Sequence, residues 1–62
     1  MVPQHSPKVL IKRYDDRLYN TETYAYVSLD DLATILVSGR RIIVLEASTG
    51  DDITSDILDR LH

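Results

Sequence analysis

Hydrophobic and polar positions alternate with a period of two in the first part of the chain, as they do along a β-strand. The segment "VLIKRY" (9–14) is rich in β-branched and aromatic residues, which favour strands. Its alternation places Leu10 on one face and Val9 and Ile11 on the other, so both faces carry apolar side chains near the start of the segment. The pattern therefore predicts a first strand that is covered on both sides.

Two further strands are predicted by the segments "LYNT" (18–21) and "YAYVS" (24–28), which contain tyrosine, valine and threonine. Asn20, Thr21 and Thr23 are suitable turn residues between them, although no glycine is present to fix a two-residue turn. We expect the two strands to be neighbours along the chain, joined by a short turn.

The segment "SLDDLATILVSGR" (28–40) changes to a helical period. Ser28 is a favourable N-cap with Asp31 three residues later, close to a capping box, and Gly39 can end the helix in the left-handed conformation. The spacing predicts a helix over about residues 29–38. Its apolar stripe, which should pack against the sheet, comprises Leu29, Leu32, Ala33, Ile35 and Leu36.

The rest of the chain predicts one more strand and one more helix. The segment "RRIIVLEAS" (40–48) has a continuous β-branched and leucine core, which is typical of a strand buried on both faces. "STGDD" supplies a turn in which Gly50 takes a positive φ, and Asp52 or Thr54 can cap a short helix in "ITSDILDRLH". The apolar side of that helix comprises Ile53, Ile57, Leu58 and Leu61.

The predicted order of elements is β-β-β-α-β-α, which indicates a small α+β domain. We expect an antiparallel hairpin and a buried strand, covered by two short helices. Residues 1–7, which contain Pro3 and Pro7 among polar residues, are expected to form a disordered N-terminal arm. Residues 8–62 are then a single domain.

The small size of the chain favours self-association. A domain of 62 residues buries a small core, and the sequence has no cysteine for a disulfide. Its histidines, His5 and His62, lie near the two termini, where no structural zinc site could be assembled. We therefore expect a homodimer or a larger homo-oligomer. The sequence shows neither a signal-peptide pattern nor a long apolar segment, so we expect a cytoplasmic protein without membrane association.

The charges are unevenly distributed along the chain, although the net charge of −3 by itself argues against a polyanionic partner. Residues 1–27 carry four basic and three acidic side chains, a net charge of +1. Residues 28–62 carry three basic and seven acidic side chains, a net charge of −4. A basic surface must therefore come mainly from the first part of the chain.

Catalysis is the least favoured class of function. Acidic residues are paired at 15–16, 30–31 and 51–52, and helix capping and turn chemistry account for the second and third pairs. The segment "STGDDITSDILD" lacks the alternating oxygen ligands and closing glutamate of a calcium loop, and no histidine lies in the predicted core for a catalytic triad. We expect neither an enzyme nor a bound metal or cofactor.

The tyrosines have two competing explanations. Tyr14, Tyr19, Tyr24 and Tyr26 all lie in the most basic part of the chain, interleaved with Lys12, Arg13 and Arg17. Tyrosines on strands commonly serve only in cross-strand packing. Interleaved with basic residues, they also suit contacts with nucleic acid. Asp15 and Asp16 either form ion pairs that orient the arginines or neutralise the basic patch, and the sequence leaves both explanations open.

The order of several short motifs resembles one family. "IKRY", "LYNT", "YVSLDDLATILVSG" and "IIVLEASTGDDIT" are similar to the N-terminal DNA-binding domain of the polyhydroxyalkanoate (PHB/PHA) accumulation regulators, over about residues 9–61. That family typically reads I-K-K/R-Y-x-N-R-K/R-L-Y-D-T, then Y-V/I-T-L-E-D-L and T-G-E-D-I/L-T. The matching residues are Ile11, Lys12, Arg13, Tyr14, Arg17, Leu18, Tyr19, Thr21, Tyr26, Val27, Leu29, Asp31, Leu32, Thr49, Gly50, Asp52, Ile53 and Thr54.

The departures from this family pattern fall in its basic motif. Asp16 stands where the family usually has asparagine, and Asn20 stands where it usually has aspartate. One of the two consecutive basic residues before Leu18 is missing. The apolar scaffold of the family is therefore kept better than the basic motif.

The resemblance implies a transcriptional regulator that represses genes for polyhydroxyalkanoate synthesis and granule-associated proteins, and that leaves double-stranded DNA when it binds the polyester. Polymer binding is expected in a region that these residues do not include. The residues expected to contact DNA are Lys12, Arg13 and Arg17, supported by Tyr14, Tyr19 and Asn20. The alternative is an oligomerisation or protein-interaction module that has kept the scaffold and lost DNA binding.

Overall fold

A computed structural model describes residues 8–61; the expected N-terminal arm, residues 1–7, lies outside the described residues. The order of elements is the one predicted from the sequence. The elements are β1 (Lys8–Tyr14), β2 (Arg17–Asn20), β3 (Ala25–Val27), α1 (Leu29–Val37), β4 (Arg41–Glu46) and α2 (Thr54–Asp59). The protein is thus a small α+β domain, as expected.

The four strands form one mixed sheet in the order β3-β2-β1-β4. β1, β2 and β3 form an antiparallel meander, and β4 then pairs with β1 in parallel. The parallel pairing requires a crossover, and α1 lies in that connection between β3 and β4. β1 is therefore a central strand with a partner on each side.

Two short turns shape the antiparallel part of the sheet without glycine. Asp15 and Asp16 form the turn between β1 and β2, and Asp15 takes a φ of 59° there. In the next turn, Oδ1 of Asn20 accepts hydrogen bonds from the backbone N–H groups of Glu22 (2.8 Å) and Thr23 (3.3 Å). Aspartate tolerates the left-handed conformation at position 15, and the asparagine side chain bonds to the backbone of the turn that follows it.

The first helix begins as the sequence predicts. The Ser28 hydroxyl accepts a hydrogen bond from the backbone N–H of Asp31 (3.1 Å), and the Asp31 carboxylate accepts one from the backbone N–H of Ser28 (2.9 Å). This reciprocal capping box satisfies two otherwise unpaired donors. α1 ends at Val37, one residue before the predicted end, and Gly39 follows with a φ of 95°.

The hydrophobic core lies on one face of the sheet, between the strands and both helices. Strand residues on that face pack against one buried residue from each helix, Leu32 of α1 and Ile57 of α2. The buried strand residues are Val9, Ile11, Leu18, Ile42 and Val44. Partly buried apolar side chains from the helices and their flanks surround this cluster.

The expectation that β1 and β4 are covered on both faces is wrong. Leu10, Ile43 and Leu45 face away from the core and are only half-buried, while their neighbours Val9 and Val44 are almost fully buried. Both helices contribute to the same core, so within residues 8–61 no element covers the opposite face. A continuous apolar run fits a strand with one apolar face in the core and one at the surface equally well.

The outer edge of β4 is covered by the segment that leads into α2. The Thr54 hydroxyl accepts a hydrogen bond from the backbone N–H of Val44 (2.9 Å), and the backbone N–H of Ile53 donates to the Val44 carbonyl (2.8 Å). The N-cap residue of α2 is Ile53, rather than the predicted Asp52 or Thr54. The Asp52 carboxylate instead accepts hydrogen bonds from the backbone N–H (2.9 Å) and the hydroxyl (2.6 Å) of Thr54.

Candidate nucleic-acid interface

The sheet face opposite the core, which we call the open face, is defined by the register of the four strands. Lys12 of β1 lies opposite Tyr19 of β2 and beside Leu45 of β4, and Tyr19 lies opposite Tyr26 of β3. Side chains two residues apart on a strand share a face, which extends the set along each strand. The open face comprises Lys8, Leu10, Lys12, Tyr14, Arg17, Tyr19, Tyr26, Arg41, Ile43 and Leu45.

Charge is segregated between the two sides of the sheet. The strand positions on the open face carry four basic side chains and no acidic one: Lys8, Lys12, Arg17 and Arg41. The acidic residue of the described strands, Glu46, lies on the core side beside Arg13. Most other acidic residues lie in the helices and the loop before α2. A chain with a net charge of −3 therefore presents a locally positive sheet face.

Three tyrosines form a row across the open face. The rings of Tyr14 and Tyr19 lie 6.2 Å apart at 82°, and those of Tyr19 and Tyr26 lie 5.3 Å apart at 74°. These edge-to-face arrangements place the positive edge of one ring against the negative face of the next. Tyr14 and Tyr26 are 44% and 51% exposed, so both rings are also accessible from outside. Tyr24 lies outside this row, in the turn between β2 and β3.

Arg17 is held at one end of this row by a cation–π contact. The central carbon of its guanidinium lies 4.1 Å from the centroid of the Tyr26 ring. Such contacts stabilise arginine by about 0.5–1 kcal/mol at exposed sites. A guanidinium has five N–H donors, so a contact with one ring leaves donors for a further partner.

Asp15 and Asp16 form no ion pair with Arg13 or Arg17 within the described part of the chain. The ion pairs found there join Arg13 to Glu46 and Arg40 to Glu22, each with an N–O distance of 2.7 Å. Asp15 and Asp16 instead form the hairpin turn at the end of the open face. The alternative in which they aim Arg13 or Arg17 therefore has no contact to support it.

Arg13 lies on the core side of the sheet. Its Nε donates to Oε1 of Glu46 at 2.7 Å, and the Ser48 hydroxyl donates to the other oxygen of that carboxylate at 3.0 Å. The Arg13 guanidinium, with help from Ser48, holds the pKa of Glu46 below its ordinary value. The positive charge of Arg13 is consequently balanced by a neighbouring carboxylate.

Asn20 also lies on the core side, and its side chain is 4% exposed. Its amide oxygen is occupied by the two backbone N–H groups of the following turn. The six residues expected to contact DNA therefore lie on two opposite faces of the sheet. Four of them share the open face, Lys12, Tyr14, Arg17 and Tyr19, while Arg13 and Asn20 do not.

Tyr26 completes the cluster and was not among the residues expected to contact DNA. Its position on β3 opposite Tyr19 brings it to the open face and under Arg17. The sequence contained a signal for it, because alternation along "YAYV" places Tyr24 and Tyr26 on one face. The neighbours of Tyr26 are set by the pairing of β2 with β3, which the alternation of residues along the chain does not specify.

Fold and surface together define a class of protein: a small α+β domain with one covered sheet face and one open, basic and aromatic face. Comparison with known families specifies it further. The chain belongs to the PHB/PHA accumulation regulator DNA-binding domain family, whose model matches residues 10–61. This is a family of regulatory DNA-binding domains and not an enzyme family, and the resemblance of the motifs to it is confirmed.

A relative from Allochromatium vinosum has 40% identity over 50 residues and is described as an uncharacterised protein. The match covers 79% of this chain and 33% of that protein, so the chain spans about a third of the length of the curated relative. No solved structure matches the chain. Among the described residues, no helix is long and apolar enough to cross a membrane.

Proposed function

We propose that this chain is the DNA-binding module of a transcriptional repressor that controls polyhydroxyalkanoate synthesis and granule-associated protein genes. The observation that carries the proposal is the segregation of charge: four basic side chains lie on the open face, and the strand residues there contribute no acid. Contacts to phosphate supply most of the affinity of proteins for duplex DNA. A chain that is acidic overall needs such a separation to approach a polyanion.

The open face is the proposed DNA surface, with Lys12, Tyr14, Arg17 and Tyr19 in contact with the duplex. Lysine and tyrosine donate to phosphate oxygens, and arginine can donate to phosphate or to base edges. Arg13 and Asn20 are left out of this surface, because Arg13 is paired with Glu46 and Asn20 is buried in a turn. In the proposal Arg13 joins β1 to β4 through Glu46, and Asn20 shapes the turn between β2 and β3.

Self-association is part of the proposal. A dimer places two modest basic surfaces on successive sites of one duplex, and the second contact then benefits from a high effective concentration. Three half-buried apolar side chains on the open face, Leu10, Ile43 and Leu45, offer a second copy a surface to cover. We place the protein with chromosomal DNA in the bacterial cytoplasm, and we propose no polymer site within residues 8–61.

The same apolar strip favours a second candidate function, a module for oligomerisation that no longer binds DNA. In this candidate the partner surface extends from the strip over Lys12, which lies between Leu45 and Tyr19, and so covers part of the proposed DNA surface. This candidate predicts a stable oligomer that does not retain duplex DNA even at low salt.

A salt titration with a matched pair of variants separates the two candidates. The purified chain is titrated against labelled duplex DNA from a granule-gene promoter at several salt concentrations, together with Lys12→Gln and Arg60→Gln. Both variants remove one positive charge, but Arg60 is the C-cap residue of α2, whose Ile57 packs into the core on the other side of the sheet. Lys12→Gln should weaken binding and reduce the slope of log K against log salt by about 1, because one phosphate contact is lost.

Arg60→Gln should leave that slope unchanged. Equal effects of the two variants would place the DNA elsewhere on the protein. Absence of salt-dependent binding by the unsubstituted chain, combined with a stable oligomer in sedimentation, would favour the second candidate.

A further inference from the structure

Arg17 and Tyr26 form a unit on the open face that differs from the other basic positions there. The guanidinium of Arg17 is exposed and lies 4.1 Å from the centre of the Tyr26 ring, whereas Lys12 is half-buried in the middle of the sheet. No ion pair ties Arg17 to an acidic residue within residues 8–61. Its N–H donors are therefore available to a partner.

The cation–π contact with Tyr26 restricts the rotamers of Arg17 before any ligand binds. An arginine fork held in this way loses less conformational entropy when it forms two parallel hydrogen bonds. On the base edges of duplex DNA, an arginine can form two such bonds with O6 and N7 of guanine in the major groove. A phosphate also accepts two bonds from arginine, but it gives no sequence preference.

The width of the sheet restricts which side chains can reach base edges. Four strands spaced by about 4.8 Å span roughly 14 Å, which exceeds the major-groove width of about 12 Å, whereas two strands fit. β2 and β3 form one side of the sheet, and they carry Arg17, Tyr19 and Tyr26. Lys12, on the central strand β1, is then nearer to the phosphate backbone than to the groove floor.

We propose that Arg17, positioned by Tyr26, reads a guanine base in the major groove, while Lys12 contacts phosphate without sequence preference. This inference rests on the proposed function. Arg17 is a specificity-determining residue in this scheme, and Tyr26 is a positioning residue that orients it.

The test is a selection from a library of random duplex DNA, performed in parallel with the unsubstituted chain, Arg17→Lys, Tyr26→Val and Tyr26→Phe. The enriched site of the unsubstituted chain should contain a fixed G·C pair, and Arg17→Lys should lose that preference. Affinity for the enriched site should fall about 5- to 150-fold with Arg17→Lys, the discrimination expected of one bidentate contact. Affinity for a scrambled duplex should change by less than about twofold, because the positive charge is kept.

The Tyr26 variants test the positioning role. Tyr26→Phe keeps the aromatic ring and should retain the preference for the G·C pair. Tyr26→Val keeps a good strand residue but removes the ring, and it should reduce the preference in the direction of Arg17→Lys. Circular dichroism of each variant checks that the sheet is formed, and Arg17→Lys tests the proposal even if Tyr26→Val unfolds.

Two outcomes would overturn the inference while the proposed function stands. In one, Arg17→Lys lowers the affinity for both duplexes equally, which identifies Arg17 as a phosphate contact. In the other, the unsubstituted chain binds all sequences equally but with steep salt dependence. If the unsubstituted chain shows no salt-dependent DNA binding, the proposed function and this inference both fail.

Discussion

At the scale of the residue, Asn20 shows how a side chain of a DNA-binding motif can serve the fold. It is buried and its amide oxygen accepts two backbone hydrogen bonds from the turn between β2 and β3. The family usually has aspartate at this position, and an aspartate carboxylate can accept the same two bonds. The exchange of aspartate for asparagine is therefore compatible with the turn.

Replacing Asn20 by alanine should destabilise the domain by about 1–3 kcal/mol, because two part-buried hydrogen bonds worth about 0.5–1.5 kcal/mol each are lost. Urea denaturation followed by circular dichroism measures the loss. Asn20→Asp is the matched control, since it keeps an acceptor oxygen, and it should lose less. If both variants unfold at the same urea concentration as the unsubstituted chain, the amide oxygen has no structural role.

Glu46 links stability to pH. Its pKa is held below the ordinary value of 4.5, first by the hydrogen bond from Arg13 and then by that from Ser48. A lowered folded-state pKa means that the contribution to stability is present at pH values above the ordinary pKa. It is lost as pH falls through the folded-state pKa. Below about pH 4.5, the free energy of unfolding should therefore decrease with falling pH.

Glu46→Gln should make the free energy of unfolding depend less on pH below about 4.5, because glutamine does not titrate. Denaturant unfolding from pH 7 to pH 3 should show a stability difference from the unsubstituted chain that shrinks as the pH falls. In an Arg13→Gln background the same substitution should have little effect, as expected of a double-mutant cycle on one pair. If Glu46→Gln lost stability at low pH as steeply as the unsubstituted chain, Glu46 would not be a source of the pH dependence.

At the scale of the element, α1 depends on the capping box between Ser28 and Asp31. Ser28→Ala removes the side-chain acceptor and should cost about 0.5–2 kcal/mol, measured by thermal or urea unfolding. Ser28→Thr keeps a hydroxyl and should cost less. Thr34→Ala, which removes an exposed hydroxyl within the helix and raises helix propensity, is a second control that should not destabilise the domain. Equal losses for Ser28→Ala and Ser28→Thr would argue against the cap.

The segment before α2 protects the outer edge of β4. Thr54→Val preserves the shape of the side chain but leaves the backbone N–H of Val44 without its 2.9 Å acceptor, and the expected cost is about 1–3 kcal/mol. Amide hydrogen exchange measured by NMR should be faster at Val44 in this variant. Thr54→Ser, which keeps the hydroxyl, should retain slow exchange. Equal exchange rates in the two variants would show that the hydroxyl does not protect this edge.

At the scale of the whole molecule, the two faces of the sheet have different partners. One face is filled by the helices, and the other carries a basic and aromatic part together with an apolar strip. The proposed dimer makes use of the strip. Ile43→Ser should shift the mass measured by sedimentation towards that of the monomer, since it removes half-buried apolar surface from the proposed contact.

Val37→Ser is the matched control for Ile43→Ser, because Val37 is 88% exposed on α1, away from the sheet. It should leave the oligomer unchanged. An unsubstituted chain that sediments as a monomer at all concentrations would remove self-association from the proposal.

Periodicity and local chemistry predicted the elements of this domain because those signals are encoded by neighbouring residues. The capping residues Ser28 and Asp31 and the turn residue Gly39 were each identified from the sequence, and the order of six elements followed. The α2 cap was less predictable, because Thr54 bonds to the edge of β4, a contact over ten residues. Local sequence carries no information about that edge.

The elements, the apolar scaffold and the family can be read from the residues alone, and tyrosines and basic residues are concentrated in the first part of the chain. Which of these side chains share a surface depends on how the strands pair in the folded domain. A strand sends alternate side chains to opposite faces, so Lys12 and Arg13 are neighbours in sequence but lie on opposite sides of the sheet. Pairing of β2 with β3 then brought Tyr26 beneath Arg17, a contact that no spacing along the chain specifies.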